Sequence, residues 1–271
     1  MRNFYWIFIL SLGGCACSGK KVPEGFIYPL GDLLFNKENI ALGTTYVGRE
    51  YTDTVMVYNP KSKAVRLEGF NNFPELTCRK IGGSVQDWRL GGYDIASGEI
   101  DTLIITFRPE NEMLLGEYYN VLRFLVDGEV DYSFGVVAEA EVKENFNEWS
   151  EEEKAKAPRI EVDSLEYDFG TLKEGEEKSI IIPIRNTGSG SLLLRKIETT
   201  CGCTAVVLGQ RVILPGKSTQ LDVVFHSAGR IGKQRKQITL YSNDPRRPIL
   251  QFIIKGEVRR ANASKRFSPG S

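Results

Sequence analysis

Apolar and polar residues alternate along much of this chain, the period of a strand with one face buried. The stretches "TQLDVVFHS" (219–227), "KQITLYSND" (236–244) and "PILQFIIKGEV" (248–258) show it most clearly. Pro-Gly, Gly-Lys and Asn-Asp-Pro breaks separate these runs and keep each one short. "DTVMVYNP" (53–60) and "KSIIIPIRNT" (178–187) are further β-rich runs, each ending in turn chemistry. Pro183 lies inside the second. Proline has no N–H to give a ladder, so an edge position or a bulge is predicted there.

The pattern occurs twice. "LGTTYVGREYTDTVMVYNP" (42–60) aligns with "FGTLKEGEEKSIIIPIRNT" (169–187), setting Gly43 on Gly170, Gly48 on Gly175 and Asn59 on Asn186. Seven or eight short strands per copy favour an immunoglobulin-like sandwich over a barrel. The predicted fold class is therefore all-β, with two tandem immunoglobulin-like β-sandwich domains at residues 31–142 and 159–258. Between them, 143–158 is a charged linker. Ser150 and Glu153 there form a capping box for a short helix that Pro158 ends, and a flexible linker is the equal alternative. Residues 259–271 form a basic tail with Pro/Gly/Ser punctuation, read as disordered.

The first residues break the strand pattern. "MRNFYWIFILSLGGCACSGK" has one early arginine, an apolar stretch too short to span a bilayer, then small residues and a cysteine. "LGGC" (12–15) resembles a bacterial lipobox. That resemblance implies a lipoprotein signal peptide at 1–14, acylation of Cys15, and a tether over 15–30. Each buried methylene of the acyl chains (palmitate or similar) contributes about 0.8 kcal/mol, so several chains would hold the protein on a bilayer.

Formal charge sums to zero, which gives no electrostatic case for nucleic acid. The balance is uneven: residues 22–142 carry 10 Lys/Arg against 19 Asp/Glu, and residues 158–258 carry 15 against 11. Such polarity can dock domains, drive association or favour an anionic partner; it can equally be two surfaces each keeping itself soluble. No G-x-S-x-G, P-loop, H-E-x-x-H or dinucleotide fingerprint is present, and no enzyme activity is expected.

The cysteines carry the remaining chemistry. "TTCGCTAV" (199–206) places Cys201 and Cys203 around Gly202 and before Thr204. Structural zinc wants more ligands than this pair and the lone His226 supply, so no metal or other cofactor is expected, although copper(I) tolerates few thiolates. A redox pair needs nearby positive charge, for which Arg195, Lys196 and Arg211 are the sequence neighbours. The leading reading is structural, with the cysteines packed as small hydrophobes between two strands and Gly202 permitting a reversal.

One resemblance covers the second copy. "YDFGTLKEGE" (167–176), "IRNTGSGSLLLRKIETTCGCTAV" (184–206), "ILPGKS" (213–218) and "YSNDP" (241–245) in that order resemble a bacterial family known as domain of unknown function 1573. The resemblance implies a Bacteroidota lipoprotein with a Hydin-like, immunoglobulin-type sandwich used for protein contacts, and it implies no activity. The first copy departs from the motif, with Cys78 alone in "PELTCRKIGG". In that lineage surface lipoproteins often carry acidic residues after the acylated cysteine. "ACSGKK" lacks them, which implies an outer-membrane protein facing the periplasm.

These readings converge on an envelope lipoprotein acting as a non-enzymatic protein-binding or assembly module. Its partners are the bilayer, through Cys15, and another envelope protein. Arg246 and Arg247 in "SNDPRRP" (242–248) are the candidate partner contacts. The alternative is a thiol-redox or copper-handling protein centred on Cys201 and Cys203.

Overall fold

The computed structural model describes residues 21–70, 73–83, 92–200 and 202–260. Strands dominate them, and the all-β class holds. The signal peptide, Cys15, Cys201 and the tail from residue 261 lie outside the described residues. The described chain belongs to two compact units. One takes Met1–Ile40, Thr52–Thr106 and Val121–Val137; the other takes Ala41–Tyr51, Phe107–Asn120 and Ala138–Ser271.

In the first unit, one sheet is ordered Tyr28–Leu30, Leu33–Phe35, Tyr51–Tyr58, Ile100–Phe107, Leu76–Lys80. A second is ordered Glu129–Val130, Phe124–Val126, Val65–Gly69, Tyr93–Ile95. Alternate residues of these strands turn inward, and the Phe35 ring meets Phe124 and Phe134 at 5.3 and 5.1 Å between centroids. Burying such rings supplies most of the driving force for sheets that leave one face in water.

The second unit contains the sandwich over residues 160–258. A sheet ordered Ile160–Val162, Glu177–Asn186, Ser218–His226, Thr204–Leu208 faces one ordered Glu166–Lys173, Ile249–Arg259, Gly232–Ser242, Leu192–Thr199, Val212–Ile213. Their inward residues form one core that includes Ile182, Leu194, Cys203, Phe225, Ile238 and Phe252. All pairings in this sandwich are antiparallel except Glu166–Lys173, which runs parallel to Ile249–Arg259.

The recurring motifs have physical reasons. Asp168 Oδ1 accepts from the Gly170 N–H at 2.8 Å, and Gly170 takes φ +74°, where the register of its strand shifts. Phe169 between them turns inward, stacks on Phe225 at 4.7 Å, and lies so close to Gly256 that a Cβ there would stand 2.3 Å from its ring. Gly43, the aligned position in the other copy, has φ +66°.

Asn186 is fully buried. Its amide donates to the carbonyls of Gly190 (2.7 Å) and Ile213 (2.8 Å), and its oxygen accepts from the N–H groups of Arg159 and Gly188. Asn59 repeats the scheme, donating to Lys63 and Ile95 and accepting from Lys61. The backbone follows suit. Gly98 N–H donates to Asn59 C=O, and Gly216 N–H to Asn186 C=O, each at 2.9 Å. A buried amide whose groups all find partners fixes several turns at once.

Pro183 lies in the strand Glu177–Asn186, opposite Gln220. Because Asn186 N–H donates to Lys217 C=O, alternation turns the nitrogen of residue 183 to the other side. There Ile160–Val162 pairs only as far as Ile184. The missing donor thus faces an open edge, as the sequence predicts. The capping box also forms. Ser150 Oγ accepts from Glu153 N–H (3.2 Å), and Glu153 Oε2 accepts from Ser150 N–H (2.7 Å), at the start of the helix Glu151–Ala155. No helix of the described residues is long and apolar enough to cross a membrane.

Candidate functional site

The loop after the strand Gly232–Ser242 is built from the inside. Ser242, Asn243 and Asp244 are buried, an unusual fate for polar side chains unless each is bonded. Asn243 Oδ1 accepts from Leu193 N–H (2.7 Å) and its amide donates to Ser191 C=O (3.1 Å). Asp244 accepts from Ile160 N–H through one oxygen (2.8 Å) and from Arg246 N–H through the other (2.9 Å). The "SNDP" signature therefore ties the loop to strands of both sheets.

Arg246 and Arg247 stand at its tip, exposed, between Pro245 and Pro248. Among the described residues neither guanidinium has an ion-pair partner. They line a cleft of about 500 Å3 together with Tyr46, Phe146, Tyr241 and Pro248. Phe146 is braced edge-on by Trp149, ring centroids 5.2 Å apart. The other charges there are largely spent. Glu144 pairs with Arg195 (2.7 Å), and Glu141 with Lys143 (2.8 Å). The charge the cleft offers a ligand is that of the two arginines.

A second cleft, of about 600 Å3, shares Glu141, Val142, Tyr241 and Ile249 with the first. Its wall adds Glu117, Glu198, Thr200, Gln237 and Gln251. Tyr241 forms the divide. Its hydroxyl donates to Glu198 Oε2 (2.9 Å), and a Cβ on Gly116 would stand 2.3 Å from that hydroxyl. Burial, and then the bond to Glu198, push the Tyr241 phenol well above the usual tyrosine range. Lys196 completes the group, pairing with Glu198 (2.6 Å) and donating to Leu115 C=O (2.6 Å).

The C-G-C-T stretch is where the chain passes from one sheet of the sandwich to the other. Thr200 is held by Gln237 on one side, and Cys203 C=O accepts from His226 N–H (3.0 Å) on the other. Cys203 is buried in the core, as a structural cysteine would be, with Thr204 Oγ1 at 3.8 Å. It is not a free cysteine packed as a small hydrophobe: Cys203 is disulfide-bonded, and the partner sulfur lies outside the described residues. Gly202 shows no left-handed backbone, and a Cβ there would meet nothing within 4 Å, so neither conformation nor space calls for glycine.

The basic neighbours offered for thiol activation are engaged elsewhere. Arg195 binds Glu112 and Glu144, Lys196 binds Glu198, and Arg211 donates to Arg195 C=O. The Arg195 contacts are what sequence reasoning missed, because Glu112 and Glu144 lie far off along the chain and no local motif marks them. His226 points outward beside inward Phe225, as alternation predicts, with Nδ1 2.8 Å from Glu177. Cys78 is free and buried, and desolvation pushes its thiol far above the usual range, which makes it unreactive. Among the described residues, no group of three or more His, Cys, Asp or Glu is placed to hold a metal ion.

Residues 160–258 match the family model described as "Protein of unknown function (DUF1573)". The fold is similar to the crystal structure of a protein of unknown function from Porphyromonas gingivalis W83, at 20% identity and TM-score 0.51, covering 84% of this chain and 100% of that one. The ASH / PapD-like domain 7 of human CEP192 is a more distant likeness, at 12% identity and TM-score 0.33, covering 44% of this chain and 96% of that one. No curated protein matches.

Proposed function

We propose that the protein is a lipid-anchored cell-envelope module that binds another envelope protein and catalyses nothing itself. The observation that carries this is the loop at residues 242–248. Three buried, bonded polar residues hold a backbone whose only outward product is a pair of arginines with no acid partner among the described residues. Rigid support beneath exposed guanidinium groups is what a contact surface needs, since ordering costs are met before the partner arrives. Acylation of Cys15 would place that surface at a bilayer, on the periplasmic side of the outer membrane.

The test is crosslinking in the native host with Arg246→Glu and Arg247→Glu combined. The double variant should keep its unfolding midpoint and lose most of a partner band that the wild type retains. Undiminished capture by a folded double variant would overturn the proposal.

A second reading keeps support from one observation, the disulfide at Cys203. If its partner is Cys201, the closed ring is small and strained, and such bonds are the easily reduced ones. Thiol trapping followed by mass mapping of protein taken from membranes decides this. A 201–203 bond reduced at mild potential with the fold retained favours redox function. A bond whose loss lowers stability, and which resists mild reductant, returns Cys203 to a structural role.

A further inference from the structure

The two clefts that meet at Tyr241 carry opposite chemistry. On the loop side stand Arg246 and Arg247, and the acids nearest them, Glu141 and Glu144, are already paired. Beyond the Tyr241 ring stand Glu117 and Glu198 with amide and hydroxyl groups; Glu198 is paired with Lys196, and Glu117 has no ion-pair partner among the described residues. The two clefts adjoin across the Tyr241 wall, a trough in two parts with the arginine pair at one end and Glu117 at the other. We propose that this trough binds an extended peptide segment of a protein partner that carries an acidic residue and, a few residues away, a basic one. This rests on the protein-binding reading above and names what that surface reads.

Charge order selects this occupant over others. A polyanion such as a sulfated glycan would satisfy the arginines, but it would drive like charge against Glu117, which has no ion-pair partner among the described residues, as it ran on. A wholly basic segment would meet the reverse penalty at the loop. Like-charge contacts discriminate against wrong partners at least as strongly as the matched pair attracts the right one. Guanidinium groups bind carboxylates through two parallel bonds, which suits Asp or Glu at the loop end. Prolines 245 and 248 with Tyr46 and Phe146 give the peptide backbone and stems an apolar seat. Each cleft by itself lies within the size range of preformed ligand clefts.

The experiment is fluorescence anisotropy of the folded full chain with labelled peptides of equal length at low and at moderate salt. One peptide carries an acidic and a basic residue about three to four positions apart, roughly 10–14 Å in extended chain. The others carry the same residues in reverse order, acid only, or base only, and a sulfated oligosaccharide is the fifth probe. The matched peptide should bind roughly tenfold tighter than any other probe. Arg246→Glu with Arg247→Glu should shift preference to the basic peptide, and Glu117→Lys should shift it to the acidic one. Equal binding of the acid-only peptide, or tighter binding of the sulfated probe, would overturn the two-signed trough while leaving an arginine contact standing. No peptide binding, with partner capture in cells still dependent on the arginine pair, would overturn this inference alone. Loss of that dependence as well would overturn the reading beneath it.

Discussion

Asn186 shows how one side chain can specify a corner of the fold. Its amide spans from the turn at Gly190 to Ile213, groups that the sequence places apart and the structure brings together. Replacing it by alanine leaves several buried carbonyls and N–H groups unpaired, at about 1–3 kcal/mol for each that water cannot reach. We expect Asn186→Ala to lower stability by roughly 3 kcal/mol in urea unfolding, and Asn59→Ala to cost a similar amount. A loss under about 1 kcal/mol for either would show that these amides are passengers. The equivalence of the two asparagines was legible from the aligned repeat, and so was the glycine at 43 and 170. Their hydrogen-bond partners were not, because a buried acceptor 27 residues away leaves no local mark on the sequence.

At the scale of elements, alternation and turn residues predict strands well, and Pro183 and the Ser150–Glu153 box fall where the chemistry requires. What escapes such reading is how elements are tied side to side. The strands Leu192–Thr199 and Gly232–Ser242 are linked by Tyr241 and Glu198, with Lys196 closing the group. Neither strand's pattern signals it, since a tyrosine and a glutamate look like ordinary surface residues. This link has a pH signature. The neutral phenol is the form that burial and Glu198 favour, so the folded chain holds that proton more tightly than the unfolded chain, where tyrosine titrates near 10. The contribution is intact below pH ~10 and drains away as pH rises towards the higher folded value. Tyr93 and Tyr167 are shifted the same way, chiefly by burial, and add to the slope. Urea midpoints measured from pH 9 to 11.5 should therefore fall less steeply for Tyr241→Phe than for the wild type. Parallel slopes would mean that the Tyr241 proton plays no part in alkaline loss.

For the whole molecule the decisive matter is where it is held, because the proposed binding site is useful only where a partner can reach it. The acyl chains implied at Cys15 differ from a transmembrane span in a testable way. Several buried chains add up at about 0.8 kcal/mol per methylene, whereas a single chain gives only marginal, reversible binding. Anchoring of this kind resides in one residue. Cys15→Ser should move the protein from the membrane pellet to the soluble fraction and abolish labelling by radioactive palmitate. Its unfolding midpoint should be unchanged, because the residues that make the sandwich core run from Ile160 to Val258. Retention of the variant in the pellet after a salt wash would place the anchor elsewhere. Release by salt alone would point instead to the uneven charge of the two halves, 10 Lys/Arg against 19 Asp/Glu over residues 22–142 and 15 against 11 over residues 158–258. An electrostatic hold of that kind fades as the Debye length shrinks below about 10 Å near 0.1 M salt, and an acyl hold does not. Fractionation of wild type and Cys15→Ser at low and high salt thus separates the two forces, and the acyl result is the one that the lipid-anchored binding role proposed above requires at physiological ionic strength.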